Sequence, residues 1–305
     1  MRLLCFLLLY IINCSVIAQS PFIIVLGNVQ DGGSPHIGCT KKCCSSLFKK
    51  SDPDRKVVAL GLSDPTNKSS YLFEASPDIT SQLRLLKEYS QTPTDIPNGV
   101  FLTHAHIGHY SGLIFLGKEA LNASGVPVYT MPRMKDFLEK NGPWSQLVSL
   151  KNITPKQIQL NVPISLGNQL QVIPFQVPHR DEYSETVGYK IIGPNKKALF
   201  IPDIDKWEKW NQDIRKEIAE VDYAFIDATF FDAAEINNRD IKEIPHPFII
   251  ETIALFESMP AAEKKKIHFI HMNHTNPALF KQSTQSKQIL KMGFNIARFK
   301  DVFKL

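Results

Sequence analysis

Beyond its first eighteen residues the sequence contains no apolar run long enough to cross a bilayer as a helix, and it has no internal repeat, long linker or low-complexity tract. Helical membrane spans, solenoids and fibrous arrays are thereby excluded as readings of residues 19–305. Disorder is excluded too, because 43% of the residues are hydrophobic and 10% aromatic, enough to bury a sizeable core. Charge of one sign is scarce. The formal net charge is only +5 over 305 residues and the basic residues are scattered. The tightest basic run, Lys264-Lys265-Lys266, follows a predicted helix and reads as a solvated end, so the sequence carries no strong nucleic-acid signal. Cysteine is scarce as well, at five residues. Two of these, Cys5 and Cys14, fall in the N-terminal stretch. The other three, Cys39, Cys43 and Cys44, crowd into six positions, and an odd count so placed is a poor disulfide framework.

What the sequence does have begins with MRLLCFLLLYIINCSVIAQS. One early Arg, an apolar run from Leu3 to Ile12 and the small-residue site Val16-Ile17-Ala18 predict a secretory signal peptide over residues 1–18. The expected mature chain, 19–305, is then a single secreted or periplasmic domain with no transmembrane segment. A lipid anchor on Cys14 is the lesser alternative, since Asn13 is larger than the residue that normally precedes a lipidated cysteine.

Strands are predicted over 22–26 (FIIVL), 56–62, 70–74, 100–103, 126–130, 170–177, 187–192, 198–201, 223–226 and 267–270. Helices are predicted over 78–89, from His109 to about Leu121, over 206–220 and over 247–258. Strands fill both halves and helices close each half, which suits two sheets packed face to face with helices outside. Segments 131–150, with Trp144, and 161–169 read as loops lining a pocket. Trp207 and Trp210, three apart, read as packing residues.

The chemistry concentrates at FLTHAHIGHYSGL, residues 101–113, where three of the nine histidines fall within six residues at the end of an apolar strand. Neutral imidazole is the commonest nitrogen ligand for Zn2+ and suits Fe and Mn. Alternate residues of an extended segment point the same way, so His104 and His106 can approach one ion together while His109 approaches from beyond a turn.

These residues resemble the His-x-His-x-Asp-His motif of the metallo-β-lactamase superfamily. Further motifs follow in that family's order: Pro178-His179-Arg180-Asp181, Ile201-Pro202-Asp203 and Phe269-Ile270-His271. The likeness covers most of the chain. It implies an α+β, four-layer αββα sandwich, one metal on His104, His106 and His179, a second on His109 and His271, and Asp203 bridging. Gly108 stands where the family has its aspartate. On that pattern the second site loses a charged oxygen, making Gly108 either a working variant or the mark of a degraded site. Phe225-Ile226-Asp227-Ala228-Thr229 and Pro245-His246-Pro247 resemble a proton relay of tRNase Z-like and phosphodiesterase-like members. Carried over, Asp227 orients His246 as general acid; a His246 that caps the helix at Pro247 is the alternative.

Within the superfamily, DGGSPHIGCTKKCC (31–44) and HMNHTNP (271–277) are similar to coenzyme PQQ synthesis protein B-like and phosphodiesterase-like members. That likeness implies a separate structural zinc on Cys39, Cys43 and Cys44, closed by His274 or, second, by His36. One of the adjacent Cys43 and Cys44 is expected to be a bystander, and a vicinal disulfide or free thiols remain the alternative. The implied function is an exported hydrolase using a metal-bound hydroxide on an ester of phosphodiester type in a small-molecule substrate, with one or two Zn2+, or Fe or Mn, at the site. An iron-dependent oxygenase related to PQQ biosynthesis and a non-catalytic metal-binding module are the alternatives. Substrate identity and oligomeric state have no counterpart in the sequence.

Overall fold

The computed structural model describes residues 20–167, 169–236 and 239–305; the expected leader, with Cys5 and Cys14, lies outside them. The first strand shows the logic of the whole. In FIIVLG the residues Ile23 and Val25 point one way and Ile24 and Leu26 the other, and all four are fully buried. A strand apolar on both faces must be covered on both.

Strands β1 (Phe22–Gly27), β2 (Ala59–Asp64), β3 (Ser69–Phe73), β4 (Gly99–Phe101), β5 (Val126–Thr130) and β6 (Ile153–Gln157) form one sheet. Strands β7 (Ile164–Ser165), β8 (Gln171–Gln176), β9 (Val187–Ile192), β10 (Lys197–Ile201), β11 (Tyr223–Asp227), β12 (Ile267–Ile270) and β13 (Asn295–Ile296) form the other. The last strand, β14 (Val302–Lys304), returns to the first sheet beside β1. The helices are α1 (Lys42–Ser45), α2 (Ile79–Ser90), α3 (Ile107–Tyr110), α4 (Pro132–Lys140), α5 (Trp144–Ser149), α6 (Ile214–Ala219), α7 (Ile249–Leu255), α8 (Ala261–Lys264) and α9 (Thr284–Lys291).

Three cores separate four layers. Ile23, Val25, Phe73 and Phe101 of the first sheet meet Val187, Tyr189, Phe200 and Phe225 of the second. The opposite face of the first sheet, through Ile24, Leu26 and Val100, packs on Leu83 and Leu86 of α2, Leu138 of α4 and Leu147 of α5. The opposite face of the second sheet, through Leu199, Ile201 and Ile226, packs on Ile218 of α6, Ile249 of α7 and Ile289 of α9. This is the αββα sandwich that the superfamily resemblance implies and the layout of strands and helices suits.

Strand direction places the chemistry. β2 is antiparallel to both β1 and β3, and β3 is parallel to β4, so β1, β3 and β4 run one way. In the second sheet β9 is antiparallel to β8 and β10, while β10, β11 and β12 are parallel, so these four also share a direction. Asp31, Glu74, His104, His179, Asp203, Asp227 and His271 all lie at or just beyond the C-terminal ends of those strands, where a rigid scaffold aims loop side chains. Across the sheets, the buried Tyr189 hydroxyl donates to the Leu102 carbonyl, fixing the backbone two residues before His104.

Several local expectations are corrected. The strand expected from Lys56 begins at Ala59. The helix expected from His109 to Leu121 is α3 followed by a 3-10 turn over Ser111–Leu116. The helix expected over 206–220 is a 3-10 turn at Trp207–Lys209 and then α6, because the Asp213 carboxylate caps a new start by accepting from Arg215 N at 3.0 Å. Trp207 and Trp210 pack as expected, their indole N–H groups donating to Thr252 Oγ1 and the Gln176 carbonyl, each at 2.9 Å. Segment 131–150 is not a loop: it holds α4 and α5, and Trp144 packs its ring 4.8 Å from that of Tyr110. β7 lies within segment 161–169.

One histidine outside the site yields a pH prediction. His268 on β12 sits among Phe225, Tyr223 and Phe303, its ring 4.7 Å from that of Phe303, and burial pushes its pKa down to about 4. The folded chain therefore holds it neutral while the unfolded chain takes up a proton below about 6.5. Its contribution is complete above that pH and is lost as pH falls toward 4, by up to about 3 kcal/mol. His268→Phe is expected to flatten this part of the acid limb in urea unfolding at pH 7.0 and 4.5. An unchanged pH difference would refute the assignment.

Candidate metal centre

Asp203 is the hub. Carried past β10 and almost fully buried, it places Oδ1 3.2 Å from His179 Nε2, and Oδ2 3.4, 3.7 and 3.8 Å from the Nε2 atoms of His104, His109 and His271. His106 completes the first group, its Nδ1 2.8 Å from His104 Nε2. Ligand atoms of His104, His106, His179 and Asp203 all lie within 4.8 Å of one another, and those of Asp31, His109, Asp203 and His271 form a second such set.

The outward nitrogens show how the rings are aimed. Thr103 Oγ1 is 2.9 Å from His104 Nδ1, Thr229 Oγ1 is 2.9 Å from His271 Nδ1, and Glu74 Oε1 is 3.5 Å from His109 Nδ1. With Nδ1 faced by a protein oxygen, each ring turns Nε2 toward Asp203, the arrangement that fixes tautomer and orientation in metal sites. His271 and Glu74 hold φ of 62° and 73°, in the left-handed region that non-glycine residues seldom occupy. Such strain persists where the surrounding structure demands it, commonly at functional sites.

The electrostatics of the site suit a cation. Burial opposes the charge on Asp203, yet His179, His271 and His246 outweigh it and hold its pKa well below the usual carboxylate range. Burial likewise opposes charge on His271, but Asp203 and neighbouring acids raise it to about 9, while Asp31 and Glu74 raise His109 well above its ordinary value. His104 is pushed well down, first by burial and then by His109. The buried carboxylates that favour positive charge on these imidazoles would equally compensate a divalent ion. Moreover, His179 Nε2 and Asp203 Oδ1 are buried and within 3.2 Å, yet neither makes a hydrogen bond of acceptable geometry. Two ligands of one ion stand in that relation. The residues present fit a divalent metal.

On the far side, His246 Nδ1 lies 2.9 Å from Asp227 Oδ2 and 3.1 Å from Asp203 Oδ1. Asp227 is itself fixed, accepting from Thr229 N at 2.9 Å, Thr229 Oγ1 at 2.7 Å and Ile204 N at 3.2 Å. Against burial, Asp227 and Asp203 raise the pKa of His246 to about 10. The helix-cap alternative is excluded, because α7 starts at Ile249 with Phe248 at its N-cap.

The cysteine loop forms a separate group. Ligand atoms of Cys39, Cys43, Cys44 and His274 lie within 4.8 Å of one another, with Sγ separations of 3.8 Å for Cys39–Cys43 and 3.9 Å for Cys43–Cys44. Ligands about 2.3 Å from a tetrahedral zinc place neighbouring sulfurs about 3.8 Å apart. All three thiols are free, with no vicinal disulfide, and the Sγ atoms of both Cys43 and Cys44 lie within the group. His36 lies outside it, its ring stacked 4.4 Å from that of His274.

Residues 70–272 match the family described as the Beta-lactamase superfamily domain. The chain belongs to the metallo-β-lactamase superfamily. Among curated superfamily relatives, coenzyme PQQ synthesis protein B of Xanthomonas oryzae pv. oryzae is 25% identical, covering 90% of this chain and 97% of the relative. The same-named protein of Gluconobacter oxydans is 24% identical, covering 93% and 98%. Among solved structures, Zn(2+)-bound PqqB from Methylobacterium extorquens superposes with a TM-score of 0.74 at 22% identity, covering 93% of this chain and all of that one. A diphosphatase from the PhnP family gives 0.67 at 19% identity over 94% and 98%. These structural likenesses establish the fold.

Against the superfamily motif, one expectation is corrected. Gly108 does not leave the second group short of a carboxylate. Asp31, from the loop after β1, places Oδ1 3.0 Å from His109 Nε2 and 3.1 Å from His271 Nε2. Glu74, Thr103 and Thr229 are the other site residues that motif reading missed. Asp31 stood in view as the first residue of the cysteine-bearing loop.

Proposed function

We propose that this chain is an exported metal-dependent hydrolase acting on an ester of phosphodiester type in a small-molecule substrate. The observation that supports it most is the convergence of His104, His106, His179, His109 and His271 on one carboxylate, Asp203, with the Asp227–His246 pair beside it. His104, His106, His179 and Asp203 would hold one ion and His109, His271 and the shared Asp203 a second, Zn2+ being the expected metal, with Fe or Mn also suited to the donors. A divalent ion bound there supplies Lewis acidity and lowers the pKa of water to about 7. His246 stands ready to protonate the departing oxygen, since its Nδ1 is anchored on Asp227 and its charged form is favoured at neutral pH. Asp227 acts through His246 and orients it. Cys39, Cys43, Cys44 and His274 would hold a structural zinc, which leaves no open position for chemistry.

Elemental analysis of the protein purified without added metal, followed by turnover of bis(p-nitrophenyl) phosphate, a lactone and a thioester, tests this. The expected result is up to three Zn2+ per chain and phosphodiester cleavage that a chelator abolishes and Zn2+ restores. The similarity to PQQ synthesis protein B favours the oxygenase as the second reading. Oxygen uptake by the Fe2+-loaded protein without ester turnover would establish that one instead, and tight metal binding without either reaction would make the chain a binding module. Export rests on residues 1–18 and predicts a mature N-terminus near Gln19.

A further inference from the structure

The relation between Gly108 and Asp31 goes beyond an added neighbour. A Cβ on Gly108 would fall 2.6 Å from Asp31 Cα, 2.6 Å from its Oδ1 and 2.7 Å from its Cγ. Real Cβ atoms do not come so close to backbone, so no residue but glycine fits at 108 while Asp31 keeps its place. The space that a side chain at 108 would enter is already occupied by a carboxylate from a segment 78 residues away from His109.

That carboxylate is held in register with the site. Gln30 N donates to the Met272 carbonyl at 2.9 Å and Met272 N donates to the Asn28 carbonyl at 2.8 Å, so the residues flanking Asp31 are tied to the segment that carries His271. Asp31 is only 12% exposed at its side chain, and among the described residues its Oδ1 has just the two imidazole nitrogens as side-chain partners. A carboxylate spent on stabilising the loop would be turned to backbone N–H groups or to a cation on its own segment. This one is turned to the Nε2 atoms of two rings whose Nδ1 sides are already engaged by Glu74 and Thr229.

We infer that Asp31 is a ligand of the second ion, replacing in space the carboxylate that the superfamily motif supplies at position 108, and that Gly108 is the complementary half of this exchange. The inference rests on the two-ion reading of the site. It makes the second site a full set of two imidazoles, one shared carboxylate and one private carboxylate, rather than a weakened one. It also makes the loop bearing Cys39, Cys43 and Cys44 part of the metal centre, since Asp31 opens that loop.

The test is Zn2+ binding to the full chain, by elemental analysis and by titration against a competing chelator, with melting temperature as the second readout. Wild type is expected to hold two ions in the histidine groups besides the one at the cysteines. Asp31→Asn keeps the volume and should weaken one ion by at least about 100-fold, while leaving the His104, His106 and His179 ion and the apo melting temperature unchanged. Gly108→Asp alone should lose the second ion and lower the melting temperature through the clash. Asp31→Gly combined with Gly108→Asp should recover both. If D31N holds the second ion at wild-type affinity, or loses both ions together with a lower apo melting temperature, Asp31 is no ligand. If the double variant folds and keeps the first ion but not the second, the two positions do not serve one ligand place. A wild type with only one histidine-bound ion, indifferent to D31N, overturns this inference and leaves a one-ion hydrolase standing. A wild type with none overturns both.

Discussion

Asp203→Ala is expected to strip the histidine groups of both ions at neutral pH and to lower kcat/KM on a phosphodiester by at least about 10³-fold, roughly 4 kcal/mol or more of transition-state stabilisation. The reason is geometric. Four Nε2 atoms surround the two Asp203 oxygens between 3.2 and 3.8 Å, and they belong to both ligand groups. Among the described residues no other side chain is shared in this way between the His104 group and the His109 group. Removing it leaves His104, His106 and His179 with no carboxylate in their group, so a divalent ion there would face no compensating charge. Metal content and turnover should fall together, whereas the zinc expected at the cysteines, on a different loop, should remain. Asp203→Ala retaining both ions, or losing less than tenfold in rate, would show that Asp203 is not the carboxylate the two ions depend on.

The strands and the His104, His106 and His109 cluster were legible in local pattern, and the rest of the ligand set in the order of motifs that resemble the superfamily's. FIIVL announces a strand buried on both faces, and His104, His106 and His109 lie in one turn's reach of its counterpart at 100–103. His179, Asp203 and His271 could be read because each stands in a motif that resembles one of the superfamily's, in that family's order. What stayed hidden depends on contacts between distant segments. Asp31 meets His271 across 240 residues of chain, and no periodicity connects them. Glu74 was read as a strand end, yet its carboxylate faces His109 and also accepts from Thr103 N at 3.4 Å. β6, with Thr154, Pro155 and Lys156 in its middle, has none of the apolar alternation that marks a strand; it is recruited at the sheet edge by pairing with β5. The break at 210–213 follows from capping chemistry at Asp213 and from two indole hydrogen bonds to different elements, both invisible to a count of apolar spacing.

His246→Ala is expected to separate proton delivery from metal binding. Both ions should remain: although His246 and Asp227 also lie within ligand distance of Asp203 and His271, the His104–His106–His179–Asp203 and Asp31–His109–Asp203–His271 sets are each complete without His246. The rate on an alkyl phosphodiester, whose alkoxide departs poorly without a proton, should fall by about 10² to 10⁴, whereas that on a p-nitrophenyl ester, whose anion leaves unaided, should change by less than about tenfold. The pH profile carries the sign. A general acid must be protonated to act, so wild-type kcat/KM on the alkyl ester should decline on the alkaline side as His246 loses its proton. Burial works against the charged ring but Asp227 and Asp203 lift its pKa to about 10, so the decline belongs above neutrality; a cation sharing Asp203 withdraws part of that pull and moves the limb to lower pH. In the alanine variant this limb should disappear. Asp227→Asn, which keeps the shape but removes the charge behind the ring, should shift the limb further down without abolishing it, the behaviour of a positioning residue. Equal losses on both esters, or an alkaline limb that survives His246→Ala, would assign the proton to another donor and leave the Asp227–His246 pair a packing feature at the C-terminal end of β11.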